Sequence, residues 1–294
     1  KEMGFEVKNY DGYCGTVDYG TGDEQLGILA HLDVVPEGDG WTYPPYAAEI
    51  HDGRLYGRGA MDDKGPAFAA LFGLAAVKAS GAETKRRVRI ILGCDEECGM
   101  GCLQHYNQVE KAPDMCFSPD ASYPLVNSEK MIYSSAYRKE YASAVRVKAG
   151  TVSNAVPGKA EIFVPVSADD VNAAIAKLGN ADFTYNVSAA DNGANVVITG
   201  IAAHASTPEQ GRNAFLAALQ LMNALTLPEE DADVVAVLHD ILKFDCHGES
   251  IGIDSTDDSG RLTTNVGVVD WDETGIKNMT MDIRAPITSN GEAI

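Results

Sequence analysis

Gly27-Ile28-Leu29-Ala30-His31-Leu32-Asp33-Val34-Val35-Pro36 sets a run of apolar residues directly against a histidine, an aspartate and a proline. Residues 26–35 have the continuous hydrophobicity of a strand covered on both faces. Two later segments repeat the arrangement: residues 88–94 run into Asp95-Glu96-Glu97, and residues 114–118 into Pro119-Asp120. Between the first two lies a helix of small residues, 62–79, entered through the turn Tyr56-Gly57-Arg58-Gly59-Ala60. A shorter helix is expected near 99–109. Strand, helix, strand, helix, strand is the pattern of an α/β fold, a doubly wound and mainly parallel sheet.

In such sheets ligands bind in the crevice beyond the carboxyl ends of the strands. Each of these three runs ends there in a side chain that can hold a metal, and Asp62, in the turn into the helix, can reach the same place. Aspartates are common at strand ends for turn reasons alone, and a lone His31 reads as a hydrogen-bonded structural histidine. Four coincident placements read as a site. So many carboxylates in one crevice would repel one another and resist ionisation unless divalent cations joined them. His31 and Asp33, two apart on a strand, face the same side, so a carboxylate can fix the imidazole tautomer. Adjacent Glu96 and Glu97 allow one to ligate a metal while the other takes a proton from water.

From about residue 127 the texture changes. Residues 141–148, 160–166 and 196–200 read as strands and 169–178 as a helix. Residues 208–225 read as one long helix opened by the proline favoured at its first position. Segments 261–269 and 277–284 complete a meander, which makes an α+β, ferredoxin-like layer. The expected domains are therefore 1–126 and 127–294.

Composition narrows the classes. The chain has 294 residues, 23 of them basic and 43 acidic, for a net charge of -20. That surface repels phosphate backbones and anionic lipid, so neither nucleic acid nor membrane is expected as a partner. The longest apolar stretch, 67–77, falls short of the ~20 residues that span a bilayer. Six scattered cysteines match no disulfide, zinc or iron–sulfur spacing and fit a reducing, cytoplasmic setting. Cys94, Cys98 and Cys102 are expected to be small buried residues.

The stretches G-I-L-A-H-L-D-V-V-P, L-Y-G-R-G-A-M-D-D-K-G-P, C-D-E-E-C-G and S-P-D-A-S-Y-P, in that order, resemble the motif series of the co-catalytic zinc metallopeptidases. That family includes glutamate carboxypeptidase, aminoacylase, succinyl-diaminopimelate desuccinylase, carnosinase and the PepV-type bacterial dipeptidases. The resemblance implies a zinc-peptidase catalytic domain carrying an inserted lid. It also implies two divalent ions, zinc or alternatively manganese or cobalt. His31, Asp62, Glu97 and Asp120 would be metal ligands, with Asp62 bridging the ions and followed by a cis peptide bond. Asp33 would support His31, and Glu96 would be the general base acting on a hydroxide between the ions.

T-V-S-N-A-V-P-G-K-A, A-A-H-A-S-T-P-E-Q-G-R-N-A and the late M-D-I-R-A-P resemble the lid of the PepV-type dipeptidases, where the asparagine element likewise precedes the histidine element. By that resemblance His204 polarises the scissile carbonyl, Asn154 assists it, and Arg284 pins the terminal carboxylate of a small peptide substrate. Asn154 can equally cap a turn, and Arg284 can be an ordinary ion pair on the sheet. The family's further ligand, a histidine near its C-terminus, has no counterpart here, so a chain truncated at both ends is expected. The expectation is a metal-dependent dipeptidase, monomeric or homodimeric. The rivals are another amidohydrolase on the same site, such as a desuccinylase, aminoacylase or carboxypeptidase-like enzyme, and a non-catalytic metal- or peptide-binding relative.

Overall fold

The computed structural model describes residues 1–38, 40–122 and 124–291; Tyr123, in the fourth motif, lies outside them. The chain forms two compact units, Lys1–Val126 and Asn127–Ile294.

In the first unit β1 (Glu6–Tyr10) and β2 (Cys14–Tyr19) form a hairpin, followed by β3 (Gln25–His31). A small hairpin of β4 (Glu49–His51) and β5 (Arg54–Tyr56) leads to α1 (Lys64–Ala79), and then come β6 (Arg87–Gly93), α2 (Gly101–Val109) and β7 (Met115–Phe117). The main sheet has the order β1-β2-β6-β3-β7. Strands β6, β3 and β7 are parallel, whereas β1 and β2 join antiparallel, so only half of the strand pairings fit the expectation of a mainly parallel sheet. The cause is the turn at Asp11-Gly12, both left-handed (φ 53° and 80°), which folds β1 straight back on β2.

Helices cover both faces of this sheet. Adjacent residues of a strand point to opposite sides. Ile90 packs with Leu74 of α1, Val17 and Ile28, whereas Ile91 packs with Cys14 and with Cys102 and Tyr106 of α2. The parallel strands are therefore apolar throughout, which is why their sequence lacks alternation. A charged cluster is also buried in this sheet. Arg89 of β6, opposite Asp18 of β2, donates from Nε and Nη2 to that carboxylate at 2.7 and 3.2 Å, and from Nη1 to Tyr106 and Glu110 at 3.1 Å each.

The second unit runs β8 (Met131–Glu140), β9 (Arg146–Ala149), β10 (Ala155–Val156), β11 (Lys159–Val164), α3 (Ala168–Leu178), β12 (Thr184–Ala190), β13 (Gly193–Thr199) and β14 (Ala203–His204). Then follow α4 (Ala214–Asn223), α5 (Glu229–Leu242), the short pair β15 (Thr256–Asp257) and β16 (Gly260–Arg261), β17 (Thr263–Asp272) and β18 (Gly275–Ala285). Seven strands form one antiparallel sheet in the order β12-β13-β11-β9-β17-β18-β8, larger than the few strands read from the sequence. Val147, Ile162, Val164, Val196 and Ile198 point to one face, where they meet Phe215, Leu219 and Met222 of α4 and Val171 of α3.

Three expectations are corrected here. The strand read at 141–148 starts only at Arg146, with β8 already ended at Glu140, because Tyr141 and Ser143 lie outside the ladder and bind Asp231 at the start of α5 (3.0 and 2.6 Å). The long helix at 208–225 is a single 3-10 turn, Pro208–Gln210, then α4. The break falls where Asn213 caps α4, its side chain accepting from the N–H groups of Phe215 and Leu216. Of the three clustered cysteines only Cys102 is buried. Cys94 and Cys98 are exposed in the loop after β6. No helix among the described residues is long and apolar enough to cross a membrane.

Candidate metal centre

β3 ends at His31, which is 2% exposed. Its Nδ1 lies 3.0 Å from the backbone carbonyl of Asp33 and 3.4 Å from the Asp33 carboxylate. A carbonyl only accepts, so Nδ1 carries a proton, and in the neutral imidazole this leaves Nε2 as the nitrogen that can ligate a metal. That Nε2 faces Asp62 at 3.0 Å, Asp120 at 3.3 Å and Glu96 at 4.0 Å. Ligand atoms of His31, Asp62 and Glu97 lie within 4.8 Å of one another, and so do those of His31, Asp63 and Asp120.

Each carboxylate has a local reason for its place. Asp33 accepts from the Glu97 N–H at 3.1 Å, tying the loop after β3 to the loop after β6. Burial pushes its pKa up, but the N–H groups of Glu97 and Glu96 outweigh that and hold it below the usual carboxylate range. Asp95, first of the acidic triplet, accepts from Gly101 N–H at 2.9 Å and anchors the start of α2. Glu97 accepts from Val35 N–H at 3.3 Å. Ser118 donates to the Leu29 carbonyl and accepts from Asp120 N–H, so the fourth motif is locked to β3. The turn before Asp62 needs its glycines: Gly59 is left-handed (φ 83°), and a Cβ there would meet Val34 at 2.9 Å. The Asp62–Asp63 peptide bond is cis.

Asp63 is the residue that sequence reasoning passed over. It stands at the N-terminus of α1 but caps nothing. It is wholly buried, its Oδ2 accepts from His31 N–H at 2.9 Å, and its Oδ1 has no hydrogen-bond partner among the described residues. Only the doubled aspartate marked it, and burial is what singles it out.

Crowding shows in the titration of the cluster. Burial raises the pKa of Asp63, Glu96 and Glu97, with added repulsion from Asp120 on the first, Glu97 on the second and Asp62 on the third. For His31 burial acts downward, but Asp120, Glu96, Asp33 and Asp62 together raise its pKa. One imidazole cannot neutralise so many acids. A buried carboxylate oxygen without a partner, beside a lone pair and further carboxylates, fits divalent cations. Since His31 and Glu97 must shed protons to bind a metal, uptake of Zn²⁺ or Mn²⁺ is expected to release protons, and affinity to fall as pH drops through their raised pKa values. Calorimetry in buffers of different ionisation heat checks this; a pH-independent affinity would contradict it.

The second unit holds the other residues singled out in the sequence. β10 pairs with β14, setting Ala155 opposite His204, and Ala205 N–H donates to the Asn154 carbonyl at 2.9 Å. Asn154 and His204 are thus brought together. The buried Asn265 donates to the carbonyls of Ser153 and Ala155, on either side of Asn154, and accepts from Asn213. Ser206 N–H donates to His204 Nδ1 at 3.2 Å, which leaves the imidazole proton on Nε2. His204 is exposed, yet neighbouring protein and then Arg284 hold its pKa below the usual histidine range. Arg284 donates from Nε and Nη2 to Asp282, at 2.8 and 3.3 Å, and Asp282 is buried. Three of the four remaining histidines have local partners: His51 contacts Glu49, His105 contacts Asp11, and His247 contacts the Leu262 carbonyl.

Residues 27–262 match Peptidase family M20/M25/M40. The protein YtjP of Bacillus subtilis (strain 168) is 36% identical over 306 residues, covering 100% of this chain and 66% of the relative. The Beta-Ala-Xaa dipeptidase of Lactobacillus delbrueckii subsp. lactis is 31% identical over 299 residues, covering 97% and 63%. The chain thus spans about two thirds of the length of these curated relatives. Human carnosine dipeptidase 1 superposes with a TM-score of 0.44 at 18% identity, covering 99% of this chain and 63% of that one. With the match extending over most of its length, the chain is a member of peptidase family M20/M25/M40.

Proposed function

We propose that this chain carries the metal centre and the substrate-recognition residues of a dipeptidase. The observation that carries the reading is the buried His31, whose Nε2 faces Asp62 and Asp120 beside Glu96, Glu97 and the buried Oδ1 of Asp63. His31, Asp62, Glu97 and Asp120 would hold two divalent cations, zinc by the family resemblance, with manganese or cobalt suited equally by the donor set. When bound, the cations make water acidic enough to attack at neutral pH and polarise the scissile carbonyl.

The chain's own groups do the rest. Asp33 keeps His31 oriented. Glu96 takes the proton from the attacking water and passes it to the leaving amine nitrogen. His204, with its proton on Nε2, donates to the carbonyl oxygen as negative charge gathers there, and Asn154 assists. Arg284 receives the terminal carboxylate, which favours substrates as short as dipeptides. Residues 1–126 serve as the catalytic domain and 127–294 as the lid. The free state of all six cysteines supports a cytoplasmic setting.

Two measurements on chelated protein test this. Adding Zn²⁺ or Mn²⁺ at ~100 times its dissociation constant is expected to stabilise the fold by about 2.7 kcal/mol. Metal should also restore cleavage of dipeptides but not of N-acyl amino acids. Cleavage of the acylated set alone would move the function to another amidohydrolase. Metal binding with no cleavage of either would leave a binding protein.

A further inference from the structure

Arg284 is not a free cation. Asp282 occupies two of its donors through both carboxylate oxygens, and the pair together is close to neutral. A substrate carboxylate arriving there would meet little net positive charge, and one of the two edges by which a guanidinium grips carboxylates in parallel is already used.

A second cation lies beside it. Ile132 of β8 stands opposite Arg284 of β18. Residues two apart on a strand share a face, so Lys130, just ahead of β8, lies on that face diagonally next to Arg284. Its ammonium donates to the Arg261 carbonyl, one of three donors it possesses. Gly260 makes room for it, since a Cβ there would come within 3.1 Å of Lys130 Cε. Thr263, opposite Arg284 on the next strand, donates to the carbonyl of Ala205, the residue after His204. Lys130, Arg284 and the His204 segment therefore share one corner of the second unit. Of the acids in electrical reach of Lys130, Asp257 is already satisfied by Ser259 and Thr288, which leaves the exposed Glu209. Burial and then Arg284 disfavour the charged ammonium, Glu209 opposing them, a balance that an incoming carboxylate would relieve.

We propose that Lys130 supplies the net positive charge that holds the terminal carboxylate of the substrate, Arg284 with Asp282 acting as the rigid, directional half of the subsite. This rests on the dipeptidase reading. It assigns the chain to peptides with a free C-terminal carboxylate and makes Lys130 a specificity-determining residue.

The test compares a dipeptide with its C-terminal amide on the metal-loaded protein, for wild type, Lys130→Met and Lys130→Arg. Lys130→Met is expected to raise KM for the dipeptide about 10-fold or more, in line with loss of a charged hydrogen bond. The amide's KM and both kcat values should stay within about 2-fold, and Lys130→Arg should recover most of the loss. Equal losses on acid and amide would overturn the proposal and leave Lys130 as an anchor on the Arg261 carbonyl. An unchanged dipeptide KM in Lys130→Met would overturn it too. A wild type that cleaves no dipeptide would defeat the dipeptidase reading itself, and the proposal with it.

Discussion

Replacing Glu96 with Gln is expected to lower kcat for dipeptides by about 10²–10⁴-fold, the usual share of a general base, while metal content stays unchanged. Glutamine keeps the shape of glutamate but cannot take a proton. Glu96 lies 4.0 Å from His31 Nε2, farther than Asp62 or Asp120, close enough to act on what those residues hold. Its neighbour Glu97 is turned toward the Val35 N–H and joins the His31 and Asp62 cluster, so the two glutamates already differ in what they touch. Burial, followed by the charges of Glu97 and Asp120, raises the Glu96 pKa, which brings it nearer to that of a base working at neutral pH. Metal analysis alongside steady-state kinetics checks the expectation. Retained turnover would remove Glu96 from the chemistry, and lost metal would make it a ligand instead.

Replacing Arg89 with Met is expected to destabilise the first unit by about 3–5 kcal/mol, because it strands a buried carboxylate. Arg89 and Asp18 are each under a tenth exposed, and among the described residues Asp18 has no other ion-pair partner. The same guanidinium reaches Tyr106 and Glu110 of the α2 segment, so one side chain joins β2, β6 and α2. Glu110 in turn accepts from Tyr10 of β1, a phenol whose pKa burial and that carboxylate push up to about 12. Urea unfolding gives the loss directly. Adding Asp18→Asn to the Arg89→Met chain should recover part of it by removing the stranded charge. A loss below about 1 kcal/mol, the worth of an exposed ion pair, would show that water reaches the site.

What could be read from the sequence follows from what each element must bury. β3 and β6 lie inside a sheet with helices on both faces, so Ile28-Leu29-Ala30 and Ile90-Ile91-Leu92 are unbroken apolar runs that announce strands without any partner. β1 reads Glu6-Val7-Lys8-Asn9-Tyr10 and is almost wholly exposed, so its sequence carries little hydrophobic signal. The Asp11-Gly12 turn beside it was the available sign. β8 is an edge strand whose alternation fades into Tyr137-Arg138-Lys139-Glu140, and its partner β18 lies more than a hundred residues away. The helix break at Asn213 was written in a favoured capping residue but masked by the apolar stretch that follows. At the metal centre, residue type at strand ends pointed to His31, the Asp95-Glu96-Glu97 triplet and Asp120, with Asp62 in the turn before α1, while the separate roles came from the family resemblance. Asp63 carried no such mark, because what distinguishes it is the loss of water around one oxygen.

The Asn265 side chain carries a last consequence, one of timing. It clasps the carbonyls of Ser153 and Ala155, residues made more than a hundred positions earlier, while Asn213 holds it in turn. A chain emerging from the ribosome has Asn154 and His204 long before it has Asn265, and closing so long a loop costs entropy that local contacts do not repay early. The Asn154 and His204 segments therefore gain their final support only once β17 has been delivered. During synthesis residues 1–126 are therefore complete well before the Asn154 and His204 segments are fixed in place, so the two compact units mature in sequence rather than together.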